Sequence, residues 1–256
     1  MQFASLGSGS AGNATIVAAG NTRLLLDCGF GPKEVLARLQ RLDITPEQVS
    51  GILVTHEHDD HAKGAFKLAA KFSIPVWLTH GTLKMCERYM PNNTKLTLNV
   101  IDSHTSFAID EISVTPYPVP HDAREPSQFV FNDGKCKLGV LTDTGCATPH
   151  IEQMLTACDA LILECNHDLE MLQNGPYARP LKNRVSGRLG HLDNQSAASL
   201  LSKLDNSKLK HIIAAHLSAK NNTPFLAKRA LSAVLGCEEE WIGIADQDLG
   251  LGWRAI

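Results

Sequence analysis

The 256-residue sequence has no C-x-x-C pair, no tract of about 18 apolar residues, no Pro/Gly/Ser-rich linker and no internal repeat. Each absence removes a class of protein. Zinc-finger readings fall with the missing cysteine pairs, and the seven scattered cysteines suit free thiols in a reducing compartment. With no long apolar run and no charged-then-apolar opening segment, neither a membrane span nor an export signal is indicated, and a cytoplasmic protein is expected. A net charge of −3 offers no global attraction to polyanions. What remains is 43% hydrophobic content over a length that suits one layered domain, taken here as residues 1–256.

The charge is unevenly spread. Residues 171–192 contain no acid but include Arg179, Lys182, Arg184 and Arg188, and residues 206–237 again contain none, with Lys208, Lys210, Lys220, Lys228 and Arg229. These stretches suit either a solvated surface or an anion-facing rim.

Near the start, LGSGSAGNATIV sets Gly7, Gly9 and Gly12 on the G-x-G-x-x-G spacing of a dinucleotide-binding turn. That turn requires a helix directly after it, whose N–H groups hold the pyrophosphate. Here β-branched Thr15, Ile16 and Val17, the turn pair Gly20-Asn21 and the apolar run Leu24 to Leu26 describe strand, turn, strand. The dinucleotide reading is rejected, and SGSAGN must serve another purpose.

Further on, PKEVLARLQRL reads as a helix with Pro32 at its first position, and GILVTHEHDDHAKG as a buried strand running into a polar loop. Helices are expected over 63–72, 81–90, 194–204 and 223–235. Between 96 and 141, KLTLNVI, ISVTPYPVP, SQFVFND and CKLGVLTD look like successive strands of one sheet, and DALILEC and HIIAAH like buried strands. Two facing sheets with helices outside are the simplest layered arrangement.

The chemistry is concentrated in THEHDDH, where His56, His58, Asp60 and His61 follow a buried strand as H-x-H-x-D-H. Residues i and i+2 of an extended segment point the same way, so His56 and His58 can share one metal. The chain turning at Asp60 and His61 aims the next two ligands at a neighbouring one. Four ligands do not complete two sites, and His121 in PVPHD, Asp143 in LTDTG and His216 in AAHLS are candidates, each where an apolar run meets a polar turn.

This ordered set resembles the metallo-β-lactamase superfamily, with LLLDCG around Asp27 and TDTG around Asp143 similar to its first and fourth motifs. The resemblance implies an α/β fold, a four-layered αβ/βα sandwich of two facing mixed sheets with external helices. It also implies two divalent metal ions, one on His56, His58 and His121, the other on Asp60, His61 and His216, with Asp143 bridging them together with a hydroxide. Asp27 is expected to support the ligand loop through hydrogen bonds. Zinc, manganese and iron all suit such mixed N/O ligands.

LILECNHD (Glu164), GRLGHLDNQSAASLL (His191) and AAHLSAKNN (His216) resemble elements of the tRNase Z-type phosphodiesterases, in which a Glu/His pair protonates the leaving oxygen. End to end, the sequence is similar to the YycJ (WalJ) family. That similarity implies a 5′ to 3′ DNA exonuclease with Asp60, Glu164 and His191 as catalytic residues, and links to DNA repair or cell-wall regulation. Neither a β-CASP insertion nor a protruding tRNA-binding arm fits in this length. Asn13 in the SGSAGN loop and the basic Arg184 and Arg188 are candidate phosphate-binding residues, although a purely structural bend explains SGSAGN equally well. Rival readings are a small-molecule hydrolase acting on a cyclic phosphodiester, thioester or lactam, and a catalytically idle metal-binding regulatory protein.

Overall fold

In the run Leu24-Leu25-Leu26, the outer two side chains enter one hydrophobic cluster and Leu25 enters another, so this strand is covered on both faces. The same division recurs across the molecule. Ile162 and Ile213 face the cluster that holds Leu24, whereas Leu161 and Ile212 face a third. Three apolar layers therefore require four layers of secondary structure, and the computed structural model, which describes residues 1–256, has that architecture.

The first sheet contains β1 (Gln2–Gly7), β2 (Ala14–Ala19), β3 (Thr22–Leu26), β4 (Gly51–Leu53), β5 (Val76–Thr79) and β6 (Leu98–Ile101) in that order. The second runs β7 (Phe107–Ile109), β8 (Ile112–Pro118), β9 (Ser127–Asn132), β10 (Lys137–Leu141), β11 (Ala160–Glu164), β12 (His211–Ala215) and β13 (Gly243–Ile244). Both are mixed. Helices α1 (Pro32–Gln40), α2 (Asp59–Ala62), α3 (Ala65–Phe72) and α4 (His80–Cys86) follow strands of the first sheet, and α5 (Pro149–Leu155), α6 (Leu169–Asn174), α7 (Arg179–Val185), α8 (Asn194–Lys203) and α9 (Pro224–Leu235) follow those of the second. No helix is long and apolar enough to cross a membrane.

Helix ends follow local chemistry. Asp193 and Thr223 cap α8 and α9 through their side chains, Pro224 begins α9, and left-handed Gly236 ends it. The GNT hairpin joins β2 to β3 with no helix after the glycines, as the rejection of the dinucleotide fingerprint requires.

Three local expectations need correction, and one unassigned segment gains a place. KLTLNVI does not join its successors: it forms the edge strand β6 of the first sheet, parallel to β5. The chain end, left unassigned by the sequence reading, returns as β14 (Leu251–Ala255) beside β1. The helix expected over 81–90 ends at Cys86 and passes into a 3₁₀ turn, because Pro91 drives Met90 to extended backbone. Finally, helical structure begins at Asp59 and breaks before Ala65, so Asp60 and His61 occupy a helical turn instead of a loop. The break has a steric cause. A Cβ on Gly64 would overlap the Phe30 carbonyl, and the Gly64 N–H donates to Cys28 O at 2.9 Å, so helix and β3 exit segment touch backbone to backbone there.

Candidate metal centre

All the candidate ligands leave the carboxyl ends of strands. His56 and His58 follow β4, His121 follows β8, Asp143 follows β10 and His216 follows β12, with Asp60 and His61 on α2. Strands β10, β11 and β12 are parallel neighbours, so Asp143, Glu164 and His216 emerge side by side from one sheet edge.

The ligand turn is clamped by backbone. Asn13 N donates to Asp60 O at 2.7 Å, Cys28 N to His61 O at 2.8 Å, and Gly29 N to Asn13 O at 2.9 Å. A Cβ on Gly29 would overlap the Asp60 carbonyl, so only glycine admits the contact. The Asn13 side chain is buried, its Oδ1 accepting from Gly9 N at 2.9 Å and its Nδ2 lying 3.1 Å from His61 Nε2. SGSAGN thus holds the ligand turn against the end of β3. That answers what the glycines are for.

Donor spacing supplies a test of whether these residues fit a metal. Ligands about 2.0–2.1 Å from a tetrahedral ion lie about 3.3–3.4 Å from one another. His58 Nδ1 and His121 Nε2 are 3.3 Å apart, and His216 Nε2 lies 3.4 Å from both Asp60 Oδ2 and Asp143 Oδ1. His61 Nε2 lies 3.5 Å from Asp60 Oδ2 and 3.1 Å from Asp143 Oδ2. Donor atoms converge as His56, His58 and His121, as Asp60, His61 and His216, and as His56, His61 and Asp143. A buried atom at this centre, His56 Nε2, has no hydrogen-bond partner, which native interiors avoid unless something else satisfies it. The residues fit metal ions.

The outward-facing nitrogens are tied down in turn. His56 Nδ1 meets Thr55 Oγ1 at 2.9 Å, His61 Nδ1 meets Asp27 Oδ2 at 2.8 Å, and His121 Nδ1 meets Gly190 O at 3.1 Å, which leaves each Nε2 for the centre. His58 is reversed, its Nε2 lying 3.3 Å from Asp122 O. Asp27, Asp143 and His216 adopt left-handed backbone at φ 60°, 53° and 55°, a conformation disfavoured for non-glycine residues and maintained by these surroundings.

Electrostatics follow the geometry. Burial and the neighbouring His61 push His56 well below the usual histidine range, into the neutral form a metal needs. Burial would lower His216, but Asp143 and the carboxylates beyond it raise it to about 10. Burial would raise Asp143, yet His216 and His61 hold its carboxyl well below the usual range.

Glu164 and His191 meet as the sequence reading expects of a pair. Glu164 Oε1 lies 2.8 Å from His191 Nδ1, while its Oε2 accepts from Thr144 N at 3.0 Å and Leu192 N at 3.1 Å. Burial opposes the charge on Glu164, but His191 brings its pKa down to about 2, and Glu164 in turn raises His191 against its own burial. The carboxylate has a second partner that sequence reasoning missed: His216 Nδ1 lies 3.3 Å from Glu164 Oε1.

These groups open into a cavity of about 410 Å³, whose lining includes Asp60, Asp143, His191 and His216 on its floor and Tyr177, Leu181, Arg184 and Val185 on one wall. Arg184 is exposed, and its Nε donates to Asp122 Oδ2 at 2.6 Å. Arg188 is exposed and does not line this cavity. Asp122 was also missed, although it adjoins His121 in the same PVPHD stretch.

The family model of the Beta-lactamase superfamily domain matches residues 22–216, from the start of β3 to the last of the candidate ligands. The chain belongs to that superfamily. Among curated proteins it is 36% identical to exodeoxyribonuclease YycJ of Bacillus anthracis, over 96% of this chain and 92% of the relative. It is 30% identical to exodeoxyribonuclease WalJ of Streptococcus pneumoniae, over 98% and 91%. Solved structures of the metallo-β-lactamase-fold protein YhfI from Bacillus subtilis (TM-score 0.76, 15% identity, 99% and 98% of the two chains) and of human tRNase Z, short form (0.70, 17%, 100% and 99%), share this superfamily member's fold. The four-layered sandwich expected from the sequence is therefore the fold observed.

Proposed function

We propose that this superfamily member is a DNA exonuclease that removes nucleotides from 5′ ends through hydrolysis of phosphodiester bonds at a centre of two divalent ions. The observation that carries the reading is the Glu164–His191 pair, 2.8 Å apart and set directly beside the metal-ligand cluster. Hydrolysis of a thioester needs no such acid, because a thiolate leaves readily, whereas an alkoxide departs poorly from phosphorus without a proton. The names borne by the relatives that align along nearly the whole chain support the same substrate class.

In this reading His56, His58 and His121 would hold one ion and Asp60, His61 and His216 the other, with Asp143 contributing to the same centre. Two ions so held would supply an activated water and an electrostatic clamp on the phosphodiester oxygens. His191, with Nδ1 committed to Glu164, presents Nε2 to the cavity it lines and donates a proton to the leaving oxygen. Glu164 keeps that imidazole charged and correctly turned. Arg184 stands at the cavity wall for a phosphate, Arg188 outside it for the approaching backbone, and Asn13 fixes the ligand turn from behind. We place the protein in the cytoplasm as one domain of residues 1–256, with nucleic acid as its partner and DNA repair or cell-wall regulation as its setting.

The decisive assay uses single- and double-stranded DNA labelled at the 5′ or the 3′ end, with zinc, manganese and iron content measured on the same preparation. Release of nucleotides from the 5′ end, lost in Asp60→Ala together with metal, is expected. Metal-replete protein that leaves DNA intact, or that digests from the 3′ end, overturns the reading.

A further inference from the structure

The two acid-free stretches of the sequence meet at one point in the fold. Lys220, in the loop after His216, lies with its Nζ 5.8 Å from the centre of the Tyr177 ring, in the loop between α6 and α7. Tyr177 lines the same cavity as Asp143, His191 and His216. One turn further along, α7 adds Leu181 and Val185 to this wall at i, i+4 spacing, with Leu181 still 40% exposed. The candidate ligands give the cavity a charged part, and α7 adds two apolar side chains beside Arg184.

The cations at the rim differ in availability. Arg184 is paired with Asp122 at 2.6 Å, and Arg88 lies 3.4 Å from Asp59. Lys220 makes no salt bridge, is exposed, and sits near the outer limit of a cation–π contact, so a ligand can take both it and the ring face at small cost. Tyr177 lines the cavity of the candidate metal centre and Lys220 does not, so the aromatic face lies within the cavity and the free ammonium beyond it. A nucleic-acid strand presents the same order as phosphate, base, phosphate.

Resting on the exonuclease reading above, we propose that Tyr177 and Lys220 form the subsite for the nucleotide adjoining the scissile phosphate. The base stacks on the Tyr177 ring with Leu181 and Val185 beside it, and Lys220 pairs with the next phosphate outward. Stacking of this kind accepts any base, because every base offers a π face. A cavity of about 410 Å³ lies near the lower end of ligand-pocket sizes, about 300–1,000 Å³, which suits the terminal nucleotides of one strand.

The test pairs protein variants with substrate variants. Metal-loaded wild type, Tyr177→Ala, Tyr177→Phe and Lys220→Ala are given single-stranded oligonucleotides that are intact or abasic at the nucleotide on either side of the first scissile phosphate. For the wild type, loss of one of these bases is expected to raise KM about 5- to 150-fold, the equivalent of the energy of base–aromatic stacking. Tyr177→Ala should raise KM for the intact strand by a similar factor and cease to distinguish it from the abasic one, while Tyr177→Phe continues to distinguish them. Lys220→Ala should reduce the salt slope of binding by about one. A wild type that digests intact and abasic strands with equal KM overturns the subsite whether or not any variant folds, as does a folded Tyr177→Ala that still discriminates. A wild type that digests no DNA instead refutes the exonuclease reading on which the subsite depends.

Discussion

The Asp27 carboxylate orients ligands of both proposed metal sites: Oδ2 meets His61 Nδ1 at 2.8 Å, and both oxygens reach Thr55, whose hydroxyl lies 2.9 Å from His56 Nδ1. One buried anion thus sets the ring of His61 directly and that of His56 through a single intermediary. Its own backbone is left-handed at φ 60°, which asparagine tolerates better than most residues.

Asp27→Asn is accordingly a fold-conserving probe of orientation. The amide cannot accept from Thr55 and from His61 as a carboxylate does, so the tautomers presenting both Nε2 atoms lose their support. Metal affinity should fall about 10- to 100-fold, the usual cost of losing a ligand's outer partner. Titration with a chelator, beside a far-ultraviolet spectrum matching wild type, checks this. Unchanged affinity would mean that the backbone clamp alone holds the imidazoles.

The raised histidines make metal uptake a proton exchange. In metal-free protein His216 titrates at about 10 and His61 well above its ordinary value, so both carry protons at pH 7 and release them as metal binds. Metal affinity should therefore rise with pH through this range. The metal-free fold behaves oppositely: a group raised on folding contributes stability that is complete below its unfolded pKa of about 6.5 and is lost as pH climbs through its folded value. Thermal unfolding with and without metal should diverge progressively from pH 6.5 towards 10. Parallel curves, or calorimetric heats independent of buffer ionisation, would refute the coupling.

How much of this was open to sequence reading depended on whether the cause was local. The H-x-H-x-D-H run and the candidate ligands at strand ends, which the fold brings together, were legible because short-range alternation and polar turns carry them. The edge strand β6 was misassigned because KLTLNVI has the same local pattern as the strands after it, and only pairing with β5 decides its sheet. Glycines at 29 and 64 looked like ordinary punctuation, since their reason lies in the Asp60 and Phe30 carbonyls that approach them from elsewhere in the fold. The contact of Glu164 with His216 joins residues 52 positions apart through a parallel register that no spacing rule reveals.

The two candidate phosphate-binding arginines should separate. Arg184 lines the cavity and Arg188 does not, and Arg184 must loosen its hold on Asp122 to meet a phosphate. Arg184→Ala should reduce the salt slope of DNA binding by about one and weaken binding of the short oligonucleotides that fill only the cavity. Arg188→Ala should show its effect on longer strands alone. Equal, negligible effects on slope would return both residues to ordinary solvated surface.

The last expectation isolates proton donation from metal holding. Because Glu164 Oε1 meets both His191 and the candidate ligand His216, the proposed mechanism has replacement of Glu164 disturb two functions, and Glu164→Gln should lose metal affinity as well as rate. His191→Ala is the cleaner change. It should keep its metal and its affinity for DNA but lose about 10²- to 10⁴-fold in kcat, the usual share of a positioned acid. The deficit should shrink with a better leaving group, since p-nitrophenolate departs from phosphorus without a proton and a deoxyribose alkoxide does not. A p-nitrophenyl phosphodiester should then be cleaved by His191→Ala at nearly the wild-type rate. With metal supplied at saturating concentration, the Glu164→Gln/His191→Ala double variant should lose little more DNA cleavage than the more severe single one, because the part of Glu164 in proton donation acts through His191 alone. Should His191→Ala shed metal, or slow both substrates to the same degree, His191 is a ligand or a structural residue, and the leaving oxygen takes its proton from another group.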